Sequence, residues 1–437
     1  MKELILNPLV LTLLCLVTLV YLVIGFQLFS KNHGLAKTVE NFFIIASMMI
    51  ISGMNIKISG RFHPANLYNP DLTLPYLLMN ISFYVPFLVV LYPRLHYTIK
   101  NFFGVFFALV NRVPAFGFYL VLMILSSINS LTPIHTMKAT FVFILFTLVF
   151  IYVGKEYTMK ELFSLLVWYH GVNACMSLFY GTGGSAWRGV YLHKNFFGGT
   201  MALAVVLFYI QSNRVPKYQW LFLCLAALAV FLVQKSNSGM AKVILIVLIS
   251  LFIFLRFIRK LPPRIAFASM SFFLAIWLSV VIIITTNAEY IIVEKLGKDM
   301  TLSGRTTIWE EIGQVNERPW FGYGYDGFWQ FWRGIDNPAY SIKTDSGFVP
   351  HNSHNGFIEI WLTVGWVGLA LFMYSFLTNI YNALRYLIQN QEQESALPLL
   401  IFTWILIIAI TEFFIMRIGT HWMFYVLMTT QLAFAKK

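Results

Sequence analysis

MAKVILIVLISLFIFLRFIRKLPPR, residues 240–264, is the stretch that decides the fold class. From Val243 to Phe257 it carries one charge, Arg256. As a helix, residues 240–257 would reach roughly 27 Å, about the thickness of a bilayer's hydrocarbon core. Directly after it stand Arg256, Arg259, Lys260 and Arg264 with no acid among them, the pattern of a cytoplasmic connection. One segment thus gives both a membrane crossing and its sidedness.

Working outward, the same signature recurs. The chain is 59% hydrophobic and 11% charged, far below the roughly 25% charge of soluble domains. Candidate spans fall at 9–29, 41–55, 74–92, 114–128, 137–154, 161–180, 195–210, 219–234, 240–257, 264–286, 357–381, 397–416 and 421–435. Phe102–Val110 reads as an interfacial segment or as part of a kinked span before Pro114. The expected fold is an all-α polytopic integral membrane protein with about 12 transmembrane helices. Leu9–Phe29 superficially resembles a signal peptide but lacks a small-residue cleavage site, so it reads as the first span. Cys15, Cys175 and Cys224 lie singly in apolar runs, as small core residues. The net charge of +13 comes mostly from cations at the ends of apolar runs, which fit anionic headgroups and topology and exclude a nucleic-acid partner.

Counting crossings from the basic loop at 256–264 places 211–219 and 382–396 on the cytoplasmic side with it. Residues 181–194 and 287–355 then fall together on the opposite side. The interval 287–355 holds nine of the eighteen acids: Glu289, Glu294, Asp299, Glu310, Glu311, Glu317, Asp326, Asp336 and Asp345. A structureless loop of that length is unusual, so it reads as a partly helical extracytoplasmic cap inserted into a single membrane domain, 1–437.

Four motifs carry candidate chemistry. Trp187–Gly198 packs Arg188, His193, Lys194 and Asn195 between two spans. It is either a snorkelling basic loop end or an anion site, and basic clusters outside the cytoplasm run against the usual bias. Ser303-Gly304-Arg305 opens a helix expected over Thr306–Asn316. Arg305 either pairs with Glu310 or Glu311 or offers its guanidinium fork to phosphate oxygens near a helix N-terminus. Arg318-Pro319-Trp320-Phe321-Gly322-Tyr323-Gly324 suits a tight structural turn better than a sugar-stacking surface. His351 and His354 close the interval, and each could act as a general base near neutral pH. With no Cys nearby and no compact carboxylate cluster, a metal site is not expected. Glu359, Glu412 and Arg417 are charges in or beside apolar segments, with Glu412–Arg417 a possible structural ion pair.

Taken in order, Ser303-Gly304-Arg305-Thr306 with Trp309, the Arg318–Gly324 turn, and His354-Asn355-Gly356-Phe357 with Gly365 and Gly368 resemble the O-antigen ligase and polymerase family. Gly189-Val190-Tyr191 and His193-Lys194-Asn195 followed by Gly198 look like its upstream motif in exopolysaccharide polymerases. The likeness covers roughly residues 180 to 385. It implies a GT-C-like, metal-independent glycosyltransferase without a cofactor, in the bacterial cytoplasmic (inner) membrane with its site on the periplasmic face. The implied donor is an undecaprenyl-diphosphate-linked glycan. The implied acceptor is another lipid-linked repeat unit for a polymerase, or lipid A-core for a ligase. By position, Arg305 matches the family's diphosphate-binding arginine and His354 the histidine proposed to activate the acceptor hydroxyl. Arg188, Lys194, Asn195, Asn355 and His351 are the further expected substrate contacts. The family's Ser-Arg pair corresponds here to Ser236-Asn237, leaving Lys235, Lys242 or Arg188 as stand-ins for the second diphosphate contact. Attack opposite the leaving group would invert the anomeric centre, and the His193-Lys194-Asn195 form favours a polymerase. A lipid or solute transporter is the alternative from another class, although no matching pair of interrupted helices appears in two halves.

Overall fold

A computed structural model describes residues 31–52, 95–180, 186–191, 193–286, 304–344, 347 and 349–435, together with Leu16 and Val23. The described residues form helices and connecting turns, with no strand among them. The long helices are α1 His33–Ile51, α2 Leu95–Arg112, α3 Pro114–Leu125, α4 Pro133–Glu156, α5 Met159–Tyr180, α6 Lys194–Arg214, α7 Gln219–Lys235, α8 Gly239–Ile258 and α9 Pro263–Thr286. After the polar helix α10, Gly304–Val315, come α11 Gly356–Gln389, α12 Leu397–Thr411 and α13 Thr420–Phe434.

Eight of the described helices are long and apolar enough to cross a membrane, or nine if the bent α2–α3 pair is one span. The expected spans 9–29, but for Leu16 and Val23, and 74–92 lie outside the described residues, as do 287–303 and Asp345 of the polar interval. Residues 114–128 do not form a full crossing. Val113 before Pro114 is non-helical (φ −131°, ψ 70°), and the chain bends by 116° between the helices on either side. Proline clashes with a helical predecessor, so the break follows from the sequence. The stretch 397–416 also stops early, at Thr411.

Local signals set several helix starts. Thr158 and Glu161 form a reciprocal cap for α5, in which the Thr158 N–H donates to Glu161 Oε2 at 2.8 Å and the Glu161 N–H to Thr158 Oγ1 at 3.3 Å. Pro133 opens α4 at a position where no backbone donor is needed. Side chains divide as a bilayer requires. Phe118, Phe141, Trp220, Ile246 and Phe272 face outward, whereas α12 is buried from end to end. Polar groups in the interior are bonded across helices: Asn379 donates to Thr429 Oγ1 at 2.8 Å, and Ser375 shares a 2.7 Å bond with the Tyr425 hydroxyl.

The ends of the bundle sort as the charge pattern expects. At one end Arg259 donates to the carbonyls of Gln391 and Glu392 and to Ser395 Oγ. Beside it, Arg214 pairs with Glu394 at 3.0 Å. The loops at 211–219, 256–264 and 382–396 therefore share that end. Residues 186–194 and the polar segment 304–355 gather at the other.

Docking of the polar segment explains the glycine-rich turn. Gly365 has φ 68° inside α11, and the helix opens there. The segment Pro319–Gly324 fills the opening. Tyr323 and Gly324 donate their N–H groups to the carbonyls of Leu362 and Thr363 at 2.8 and 2.9 Å. In return the N–H groups of Trp366 and Val367 donate to the carbonyls of Pro319 and Trp320 at 2.9 and 3.3 Å. A Cβ at Gly365 would collide with the Trp320 backbone, and one at Gly322, with the Thr363 backbone. Backbone released from a membrane helix must find partners within the protein, and this turn supplies them. Ile308, Ile312, Tyr323, Phe328, Ala339, Ile342 and Leu362 then form a small core beneath the segment.

Candidate active site

Four elements meet at Glu412. It follows the last residue of α12, and its N–H donates to the carbonyl of Ile408. Its side chain is 5% exposed. Oε1 accepts a 2.8 Å hydrogen bond from Asn195 Nδ2 and lies 3.5 Å from Arg305 Nη2. Oε2 lies 3.8 Å from His354 Nδ1, ion-pair distance but longer than a hydrogen bond. Burial pushes this carboxyl up. His354, Arg305, Asn195 and His193 outweigh that and hold it below its ordinary value.

Arg305 is the second residue of α10 and is 14% exposed. Burial pushes its guanidinium down from the usual arginine range, and Glu412 opposes the shift. Of the two readings of Arg305, pairing with Glu310 or Glu311 is not met, since Glu412 takes that place. Nor does Glu412 pair with Arg417, which stacks over the Phe413 ring.

His354 sits in the left-handed region (φ 51°), one of three described non-glycine residues to do so. That conformation costs a side-chain-bearing residue roughly 1–3 kcal/mol and persists only where neighbours dictate it. Here they do. The His354 N–H donates to Asn352 Oδ1, and Ser353 Oγ donates to the carbonyl of Asn355. The Ser353 N–H donates to Glu359 Oε1 at 2.6 Å. Trp329 Nε1 donates to the same Glu359 oxygen, and Trp309 Nε1 of α10 donates to the Ser353 carbonyl at 2.8 Å. The helix that carries Arg305 is thereby latched to the turn that carries His354.

The expected upstream loop reaches the same place. Burial lowers the His193 imidazole below its ordinary value. Glu412 opposes this, and the charges of His354, Lys194 and Arg188 add to it. Arg188 is exposed and Lys194 half-buried. Asn195 is fixed from behind, because Ser238 Oγ donates to its Oδ1 at 2.9 Å while accepting the Ala241 N–H. Lys235 lies over the rings of Trp187 and Phe231.

Two other expected contacts have different surroundings. Asn355 caps α11, its Oδ1 accepting the N–H groups of Phe357 and Ile358 at 2.9 and 3.2 Å. His351 lies edge-on to the Phe331 ring at 4.9 Å. Burial, with His354 adding to it, lowers its imidazole. Among the described residues no three His, Cys, Asp or Glu side chains come together as a metal set.

The site is therefore cation-rich. Arg305 and the imidazoles of His354 and His193 act on one buried carboxylate, and the charges of Arg188 and Lys194 reach His193. Such a site suits an anion and places an imidazole beside it.

Residues 221–373 match the family model described as O-antigen ligase. The match includes Arg305 and His354 but ends short of Glu412 and begins after Arg188. A stretch of 181 residues is 26% identical to the exopolysaccharide production protein ExoQ of Rhizobium meliloti (strain 1021). It covers 39% of this chain and 40% of that protein, so the chain spans about two fifths of the length of the relative it matches. These findings support the O-antigen ligase/polymerase family for this multi-pass membrane protein.

Proposed function

We propose, from that family as premise, that the protein is a membrane glycosyltransferase that moves a glycan from undecaprenyl diphosphate to an acceptor hydroxyl. The site faces the extracytoplasmic side of the bacterial cytoplasmic membrane, on the polar segment that carries Arg305 and His354. The observation that carries the reading is the meeting of Arg305, the Arg188–Lys194 loop and His354 at one end of the bundle. Cleavage of the sugar–diphosphate bond leaves charge on the diphosphate. The guanidinium groups of Arg305 and Arg188, with Lys194, stabilise that charge in a partly dry site. His354 accepts the proton of the attacking hydroxyl. Attack from the face opposite the diphosphate inverts the anomeric centre. The donor's lipid tail lies along the outward apolar helix faces.

The exopolysaccharide relative favours chain growth, that is, a polymerase acting on lipid-linked repeat units. The ligase description of the family model favours a second reading, single transfer to lipid A-core. Incubating purified protein with an undecaprenyl-diphosphate-linked repeat unit and resolving the products by gel separates the two. The polymerase predicts a ladder; the ligase predicts one product, formed only when lipid A-core is added. Absence of any transfer with either acceptor would overturn both.

A further inference from the structure

Glu412 poses a chemical puzzle. A fixed negative charge beside a diphosphate site weakens anion binding, yet this carboxylate is buried at its centre. Asn195, Arg305 and His354 reach it from three separate elements, each to a stated oxygen. Ser238 at the start of α8 orients Asn195, so that its amide nitrogen faces the carboxylate and its oxygen faces the hydroxyl. The chain Ser238–Asn195–Glu412 thus ties α8, α6 and α12 to the two side chains of the proposed reaction.

We infer that Glu412 is a positioning residue that holds the Arg305 guanidinium with one carboxylate oxygen and the His354 imidazole with the other. A long arginine side chain has many rotamers, and ordering them in advance removes that entropy from the reaction step. In a site with little water, an arginine also needs an anion to offset its desolvation before the donor arrives. Glu412 meets both needs. Its cost to donor affinity is limited because Arg188 and Lys194 keep the surroundings positive. The inference rests on the function proposed above.

Glu412→Gln keeps the shape and can keep the Asn195 bond while removing the charge. The test is steady-state glycan transfer from the lipid-linked repeat unit, measured beside wild type, Glu412→Asp, Arg305→Ala and His354→Ala. Partners that orient metal ligands contribute about 10–100-fold to activity, and by analogy kcat of Glu412→Gln should fall by that factor. Its KM for the anionic donor should stay level or fall, because a repulsive charge has gone. Glu412→Asp should recover part of kcat. A merely structural lesion would instead raise KM and lower kcat together, with a lower melting temperature, and would overturn the assignment. So would a kcat for Glu412→Gln within twofold of wild type. Inactive wild type, or full activity in Arg305→Ala and His354→Ala, would instead sink the proposed function and this assignment with it.

Discussion

Each end of the helix bundle has a buried arginine–glutamate pair, and the two are built differently. Arg214 and Glu394 meet at 3.0 Å, with side chains 10% and 8% exposed. Arg214 also donates to Gln211 Oε1 and lies over the Phe163 ring. Each of its faces is occupied, so the pair reads as a structural tie between α6 and the turn before α12. Arg305 and Glu412 are farther apart, at 3.5 Å. There the acid is shared with Asn195 and His354, and further cations stand nearby. A closed pair fixes helices, whereas an open one leaves hydrogen-bonding capacity for a ligand. On the proposed function, the same two residue types serve packing at one end and chemistry at the other.

Exchanging the lesions should break this symmetry most visibly. Arg305→Ala and His354→Ala should each reduce glycan transfer by at least about 10²-fold, the usual contribution of a fixed charge stabiliser or a positioned base. Their thermal melting in detergent should stay close to wild type. Arg214→Ala should do the reverse, since leaving one partner of a buried pair alone costs roughly 3–5 kcal/mol. Its melting temperature should drop while the fraction that remains folded keeps its specific activity. Equal loss of activity in Arg214→Ala and Arg305→Ala would erase the distinction.

The next largest effect belongs to the junction between polar segment and membrane helix. Gly365→Ala forces a side chain into a left-handed position, at about 1–2 kcal/mol before any clash with the Trp320 backbone is counted. It should loosen the segment, so proteolysis should cut within 304–355 sooner and transfer should fall. Unchanged proteolysis would show that the α11 opening does not hold the segment.

Smaller still is Trp309→Phe, which removes the bond to the Ser353 carbonyl. A hydrogen bond of this kind contributes about 0.5–1.5 kcal/mol. Transfer should fall several-fold with little change in stability. An unaltered rate would show that α10 and the His354 turn are not mechanically coupled.

The smallest effect is one of pH. Burial raises the Glu412 carboxyl, and the surrounding His354, Arg305, Asn195 and His193 more than reverse it, so the folded value lies below the ordinary 4.5. A group lowered on folding contributes stability above its unfolded value and loses it as pH falls through the folded one. The difference in melting temperature between wild type and Glu412→Gln should therefore stay constant from neutral pH down to about 4.5 and shrink only below it. Shrinkage already between pH 7 and 6 would contradict the direction of the shift.

Much of this was legible in the chain. The apolar run at 240–257 gave the fold class, and the basic loops that its tail groups at 211–219, 256–264 and 382–396 are in contact. Arg305 stood out because a glycine and a helix start precede it, and His354 because it borders an apolar run. Glu412 did not stand out. Its partners lie 217, 107 and 58 residues upstream, while Arg417 is close in sequence and suggested a local pair instead. Only packing shows that α12 ends between Asn195 and His354. Asn355 carried an ordinary capping signal, an Asn just before a helix, which its position beside His354 overshadowed. The opening at Gly365 could not be read either, because a glycine in an apolar run is compatible with an unbroken helix until another segment enters it.

The central claim is that the Arg305 end of the bundle does diphosphate chemistry and the Arg214 end does not. The most direct test is the release of undecaprenyl diphosphate from a lipid-linked repeat unit by purified wild type, Arg305→Ala and Arg214→Ala, normalised to folded protein. The account predicts release by wild type and Arg214→Ala and none above background by Arg305→Ala. Release by Arg305→Ala at the wild-type rate would contradict it, as would a wild type that carries the intact lipid across the membrane without cleaving it.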